Sequence, residues 1–135
     1  MRPRETEMLE TTTNIQASII EDDAAIRKLL SRILDQAGIR YREFGSAEEY
    51  LNDNGSEGGI IILDLQLPGI SGLNFLSKIR NRGDKNPVIV LTGGGIPAAM
   101  DAIRLGAVRY IGKPFTKNGL MSAIDDVLGN SPRGI

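Results

Sequence analysis

Asp64 ends an unbroken apolar run, Ile60-Ile61-Ile62-Leu63, and the turn-forming Leu67-Pro68-Gly69 follows shortly after. Glu21-Asp22-Asp23 ends a second, mostly apolar run, Ala17-Ser18-Ile19-Ile20. Thr92 closes the run from Pro87 to Leu91, and Lys113 follows the run from Val108 to Ile111. Carboxylates gathered in one crevice repel one another unless a cation lies between them. The chain has no His and no Cys, so a metal here must be hard and oxygen-ligated. Mg2+ is the natural occupant, held by one or two carboxylates, a carbonyl and waters. A carboxylate beside such an ion can attack phosphorus and form an acyl phosphate. The phosphoryl oxygens are then stabilised by Mg2+, an ammonium group and a hydroxyl donor. Asp64, Glu21, Asp22, Lys113 and Thr92 supply that set.

These residues can meet only if the elements before them end on one edge. The apolar runs alternate with stretches of helical period. Ile26, Leu29, Leu30, Ile33, Leu34 and Ala37 fall at spacings of three and four, and Gly38 closes that helix. A second strand runs from Ile39 to Phe44. Ser46 and Glu49 read as a capping box opening a helix, and Asn52 to Gly59 is a loop. Leu73, Phe75, Leu76 and Ile79 mark another helix. Gly93-Gly94-Gly95 is a loop, Pro97 begins a helix running to Leu105, and a last helix runs from about Thr116 to Leu128. Five strands alternating with five helices predict an α/β fold. It is a five-stranded parallel sheet, doubly wound, with helices on both faces. Ligands of such sheets bind beyond the carboxyl ends of the strands, where the polar residues stand.

The 135 residues suit one domain. A chain this size buries roughly two-thirds of its unfolded surface, so it needs no metal or disulfide to fold. The apolar share, 41%, is that of a globular protein. A net charge of −1 from 16 basic and 17 acidic residues gives no reason to expect direct nucleic-acid or membrane binding. Residues 1–14 are polar and read as a flexible arm, residues 15–130 as the domain and 131–135 as a tail. The arm lacks the apolar run of a signal peptide, and no apolar run approaches the ~20 residues that span a bilayer. A cytoplasmic protein is expected.

The runs Ile20-Glu21-Asp22-Asp23, Leu63-Asp64-Leu65-Gln66-Leu67-Pro68-Gly69-Ile70-Ser71-Gly72, Val90-Leu91-Thr92-Gly93 and Tyr110-Ile111-Gly112-Lys113-Pro114-Phe115 resemble the receiver domain of two-component response regulators. The resemblance covers about residues 16 to 129 and is specific because the motifs occur together and in order. It implies a CheY-like fold with strand order 2-1-3-4-5. It also implies that Asp64 accepts a phosphoryl group from a sensor histidine kinase or a histidine phosphotransfer protein. Mg2+ would be bound by Glu21, Asp22, Asp64 and the backbone carbonyl of Gln66. Thr92 and Tyr110 match the family's switch residues, Lys113 its lysine, and Pro114 a proline that is often cis. The stretches Phe44-Gly45-Ser46-Ala47-Glu48-Glu49 and Thr92-Gly93-Gly94-Gly95-Ile96-Pro97 look most like the FixJ/NarL branch. That branch usually carries a helix-turn-helix, so this chain reads as either a stand-alone receiver or an excised one.

Other readings fit less well. A receiver fold that works without phosphorylation predicts a lost acidic pair, Thr or Lys. A phosphatase with an Asp nucleophile typically places a second Asp two residues on, where this chain has Gln66. The expectation is therefore a non-enzyme that self-dephosphorylates but turns over no external substrate. The glycine triplet lacks the Gly-Lys-Ser/Thr of a P-loop, and no G-x-G-x-x-G follows the first strand. The helix after Thr92 carries two apolar stripes at about 100° per residue. Ile96, Ala99, Met100, Ile103 and Ala107 are expected to cover the sheet. Ala98, Ala102 and Leu105, with Tyr110 beside them, are expected to face a partner, with Met121 and Leu128 extending the patch. That partner is a second copy, in a phosphorylation-dependent homodimer, or an effector protein.

Overall fold

The structure, a computed structural model, describes residues 15–53 and 59–129. The expected arm, the C-terminal tail and most of the Asn52–Gly59 loop lie outside the described residues. In chain order the elements are β1 (Ala17–Ile20), α1 (Ala24–Gln36), β2 (Tyr41–Phe44), α2 (Ala47–Asn52), β3 (Ile60–Asp64), α3 (Gly72–Asn81), β4 (Val88–Thr92), α4 (Gly95–Arg104), β5 (Arg109–Gly112) and α5 (Lys117–Leu128). All strand pairs are parallel, in the order β2-β1-β3-β4-β5.

The uniformly apolar runs are explained by burial on both faces of the sheet. Side chains alternate along a strand, so Ile61 and Leu63 join the core on one face and Ile60 and Ile62 the core on the other. The first core adds Phe44, Tyr50, Phe75, Leu76 and Ile79 from the β2 end, α2 and α3. The second adds Leu30, Ile33, Leu34, Leu120 and Ile124 from α1 and α5. A central strand buried on both sides leaves its polar residues only one place to be, at its end.

The helix starts are written locally. Asp23, Ser46, Ser71 and Thr116 each accept a backbone N–H of the helix they precede. Glu49 reaches back to the N–H of Gly45, one residue before the cap, so the box at Ser46 closes one residue wider than its standard form. Helix α4 begins at Gly95 rather than Pro97. A proline in the first turn costs no hydrogen bond, because the first four N–H groups of a helix have no partner within it. Strand β2 is also shorter than expected, pairing with β1 only from Tyr41.

The faces of α4 need correcting. Ala99 and Ala102 are fully buried, and Ala98 and Ile103 pack against the first core. Ile96 and Met100, expected to cover the sheet, are 59% and 41% exposed. The buried arc takes the small residues of both expected stripes, because alanines let the helix backbone lie close to β4, β5 and α3. Ile96 and Met100 are left on the outer shoulder. Leu29 is likewise exposed rather than buried on α1.

Candidate functional site

The ends of β1, β3, β4 and β5 bring the expected residues to one edge of the sheet. Asp64, the last residue of β3, is 3% exposed. Its Oδ1 lies 3.2 Å from the Lys113 ammonium and accepts the Gln66 N–H at 3.0 Å. Glu21, just past β1, is 1% exposed. Its Oε1 lies 3.4 Å from the same ammonium, and its Oε2 accepts the Asp23 N–H at 3.2 Å. Asp22 is exposed at the mouth. One carboxylate oxygen from each of Glu21, Asp22 and Asp64 falls within 4.8 Å of the others.

Burial, reinforced by the neighbouring Asp64 carboxylate, pushes the Glu21 carboxyl up to about 7; the Asp23 N–H and the Lys113 charge pull less strongly the other way. Burial lowers the affinity of Lys113 for its proton, but the hydrogen bond and charge of Asp64, with Glu21 behind them, outweigh it and hold the ammonium above its usual range. One ammonium thus serves two buried carboxylates. A donor set of carboxylate oxygens, with Glu21 pushed toward protonation by burial and by Asp64, fits a hard divalent cation, which would relieve the repulsion between those two. Glu21, Asp22 and Asp64 are the side chains able to hold one, and the exposed Gln66 follows Asp64 closely enough to add its carbonyl.

Thr92, the last residue of β4, is 3% exposed, and its hydroxyl accepts the Gly94 N–H at 2.9 Å. The Lys113 N–H donates to the Thr92 carbonyl at 2.9 Å, tying the ends of β4 and β5 together. The Lys113–Pro114 bond is cis. Tyr110 is not at this edge. It pairs with Val90 in the middle of the ladder and is 42% exposed. Its neighbour Ile111 packs on the α1 and α5 side, so the Tyr110 ring is on the α4 side.

The expected partner stripe does not form as drawn. Ala102 is buried, Ala98 is partly buried and only Leu105 is exposed. The large apolar residues exposed on α4, on β5 and between them are Ile96, Met100, Leu105, Val108 and Tyr110. Met121 is buried in the second core and Leu128 packs against it, so neither extends that surface.

Two contributors were not foreseen. Arg27 donates to the carbonyl of Glu21 at 2.6 Å. Glu48 accepts the Ile70 N–H at 3.2 Å, holding the loop after Asp64 from α2. Glu48 and Ile70 are 22 residues apart, so nothing local in the sequence marks that tie; Arg27 is only six residues from Glu21, but a basic residue on a first helical turn is no signal by itself.

The response regulator receiver domain family matches residues 17–125. The response regulator protein TmoT of Ectopseudomonas mendocina is 38% identical over 117 residues, 85% of this chain and 53% of that protein. The transcriptional regulatory protein FixJ of Azorhizobium caulinodans is 35% identical over 120 residues, 87% of this chain and 57% of that protein. The chain therefore spans little more than half the length of these relatives. The crystal structure of FixJ-N superposes with a TM-score of 0.80 at 30% identity, covering 88% of this chain and 97% of that one. Among the described residues no helix is long and apolar enough to cross a membrane. With its strand order, its acidic edge and these likenesses, the chain belongs to the response regulator receiver domains, the phosphoacceptor domains of two-component systems.

Proposed function

We propose that Asp64 accepts the phosphoryl group, from a sensor histidine kinase or a histidine phosphotransfer protein, in a reaction that needs Mg2+. The observation that supports this reading most directly is the buried Asp64 carboxylate, 3.2 Å from Lys113 and beside Glu21. Bound Mg2+ would offset negative charge on the transferring group. An Asp64 oxygen attacks phosphorus as the phosphorus–nitrogen bond of the donor breaks, forming an acyl phosphate. Lys113 already pairs with the attacking carboxylate and would meet a phosphoryl oxygen. The Thr92 hydroxyl can leave the Gly94 N–H and donate to another. The acyl phosphate is then lost by hydrolysis, with no external substrate turned over.

The output we propose is a change at the outer face of α4 and β5, where Ile96, Met100, Leu105, Val108 and Tyr110 are exposed. This replaces a stripe through Ala98 and Ala102. The face would bind a second copy or an effector. The aligned segment is little more than half of the similar regulators, so a fused output domain is another place for the signal to go.

The test is intact-mass measurement after incubation with a small phosphodonor and Mg2+. Wild type should gain one phosphoryl group, and Asp64→Asn none. Full labelling of Asp64→Asn, or equal labelling after Mg2+ is chelated, would overturn the assignment. Release of phosphate from many equivalents of a phosphomonoester would instead favour an enzyme.

A further inference from the structure

We propose that Arg27 is a positioning residue for the acidic pair, fixing the backbone that carries Glu21 and Asp22 and so setting how tightly the domain holds a divalent cation. The inference rests on the reading that Glu21, Asp22 and Asp64 bind that cation.

Arg27 lies in the first turn of α1. Its Nη1 donates to the carbonyl of Glu21 at 2.6 Å and approaches that of Asp22 at 3.5 Å. Its Nε lies 3.5 Å from Glu43 Oε1 on β2, with the Arg27 side chain 25% exposed. One planar guanidinium thus joins the helix, the β1–α1 link and the neighbouring strand. The link is otherwise held from within: the Glu21 N–H donates to Phe44, the Asp23 N–H to Glu21 Oε2, and Asp23 caps α1. Those bonds fix Glu21 and start the helix. The Asp22 side chain is exposed, so its aim depends on the backbone that Arg27 grips. Outer partners that orient a metal's ligands commonly matter nearly as much as the ligands.

A cationic side chain so near the site could also act by repulsion, which would loosen a divalent cation. Glu43 at 3.5 Å offsets much of that charge. What is left is the grip of Nη1 on the Glu21 and Asp22 carbonyls while Nε holds Glu43, a spread that the fixed fork of Arg spans and the single ammonium of Lys does not. The two roles predict opposite signs: loss of a positioning residue weakens cation binding, and loss of a repelling charge strengthens it.

Calorimetric titration of the metal-free chain with Mg2+ separates them, using wild type, Arg27→Ala and Arg27→Lys. Both variants should bind Mg2+ roughly tenfold or more weakly, within the range that loss of an outer partner usually costs. Amide spectra of the metal-free variants should change at residues 21–23. At saturating Mg2+ both should be phosphorylated at close to the wild-type rate, because Asp64, Lys113 and Thr92 are untouched. Arg27→Lys keeps the charge and the aliphatic stem, so it carries the test where Arg27→Ala proves poorly folded. Unchanged Mg2+ binding in both variants, or tighter binding in Arg27→Ala, overturns the role of Arg27 alone. A wild type that binds no Mg2+ overturns the cation reading and this inference with it.

Discussion

Glu21 is the residue that most constrains how the free domain behaves. Its carboxyl is pushed from 4.5 to about 7 by burial and by Asp64. Below pH 4.5 it is protonated in both the folded and the unfolded chain. As pH rises above that value the unfolded chain releases the proton while the folded one keeps it, so folding stability falls through the window from 4.5 to about 7 and then levels. A cation that binds the ionised group reverses the trend, because it stabilises only the folded state. The melting temperature without Mg2+ should therefore decline across that window, and the rise produced by Mg2+ should grow across it. Glu21→Gln should flatten both curves. Asp64→Asn removes the charge that opposes Glu21, so it should melt higher than wild type without Mg2+ and gain less from Mg2+. A lower melting temperature for Asp64→Asn, with equal gains from Mg2+, would place the repulsion elsewhere.

Among the elements, the connection from β3 to α3 does the most to aim Asp64. The Gly72 N–H returns to the Leu65 carbonyl at 3.1 Å, and Glu48 takes the Ile70 N–H. A Cβ on Gly72 would sit 2.6 Å from the Leu65 Cα and 3.0 Å from the Asp64 carbonyl, backbone that cannot swing aside. Gly72→Ala should cost about 1–3 kcal/mol in denaturant unfolding, as overpacking usually does. It should also slow phosphorylation by shifting the strand end. Stability and rate both at wild-type values would show that the turn is softer than its geometry implies. This element also shows what was legible in the sequence and what was not. Ile60 to Leu63 followed by Asp64 announces a doubly buried strand with a polar end, and repeated strand ends of that kind locate the edge where Glu21, Thr92 and Lys113 meet. Helix α4 was harder, because its period allows two apolar faces. Only the packing distance to β4 and α3 decides that Ala99 and Ala102 go inward while Ile96 and Met100 stay out. Glu48 is 22 residues from Ile70 along the chain, and local pattern carries no trace of such a tie.

At the scale of the molecule, the acidic edge and the exposed apolar face are joined through β4 and β5. Thr92 pairs with Gly112 and Val90 with Tyr110, so a movement at Thr92 has a short path to the Tyr110 ring on the α4 side. In the form described here the Thr92 hydroxyl is turned to Gly94 and Tyr110 is 42% exposed. A phosphoryl oxygen accepting a hydrogen bond from that hydroxyl would draw Thr92 toward Asp64 and pull on the β4–α4 link, whose Gly93 and Gly94 resist little. A bias of a few kcal/mol is enough to move such a two-state element. Ile96, Met100, Leu105, Val108 and Tyr110 are the large apolar groups exposed on α4, β5 and the link between them, the elements that would be remodelled, and exposed large apolar groups are what association buries. We therefore expect an acyl-phosphate mimic with Mg2+ to increase self-association in sedimentation, or binding to an effector where one is supplied. Thr92→Ala should still take the phosphoryl group but lose most of that increase, along with the accompanying amide shifts along residues 93–112. Met100→Glu puts a charge on the outer shoulder of α4 without touching Asp64, Thr92 or the buried alanines. It should leave both labelling and melting temperature near wild type and abolish the phosphorylation-dependent complex. A complex that survives Met100→Glu would mean that the signal leaves by another face, and an undiminished response in Thr92→Ala would mean that it does not travel through Thr92.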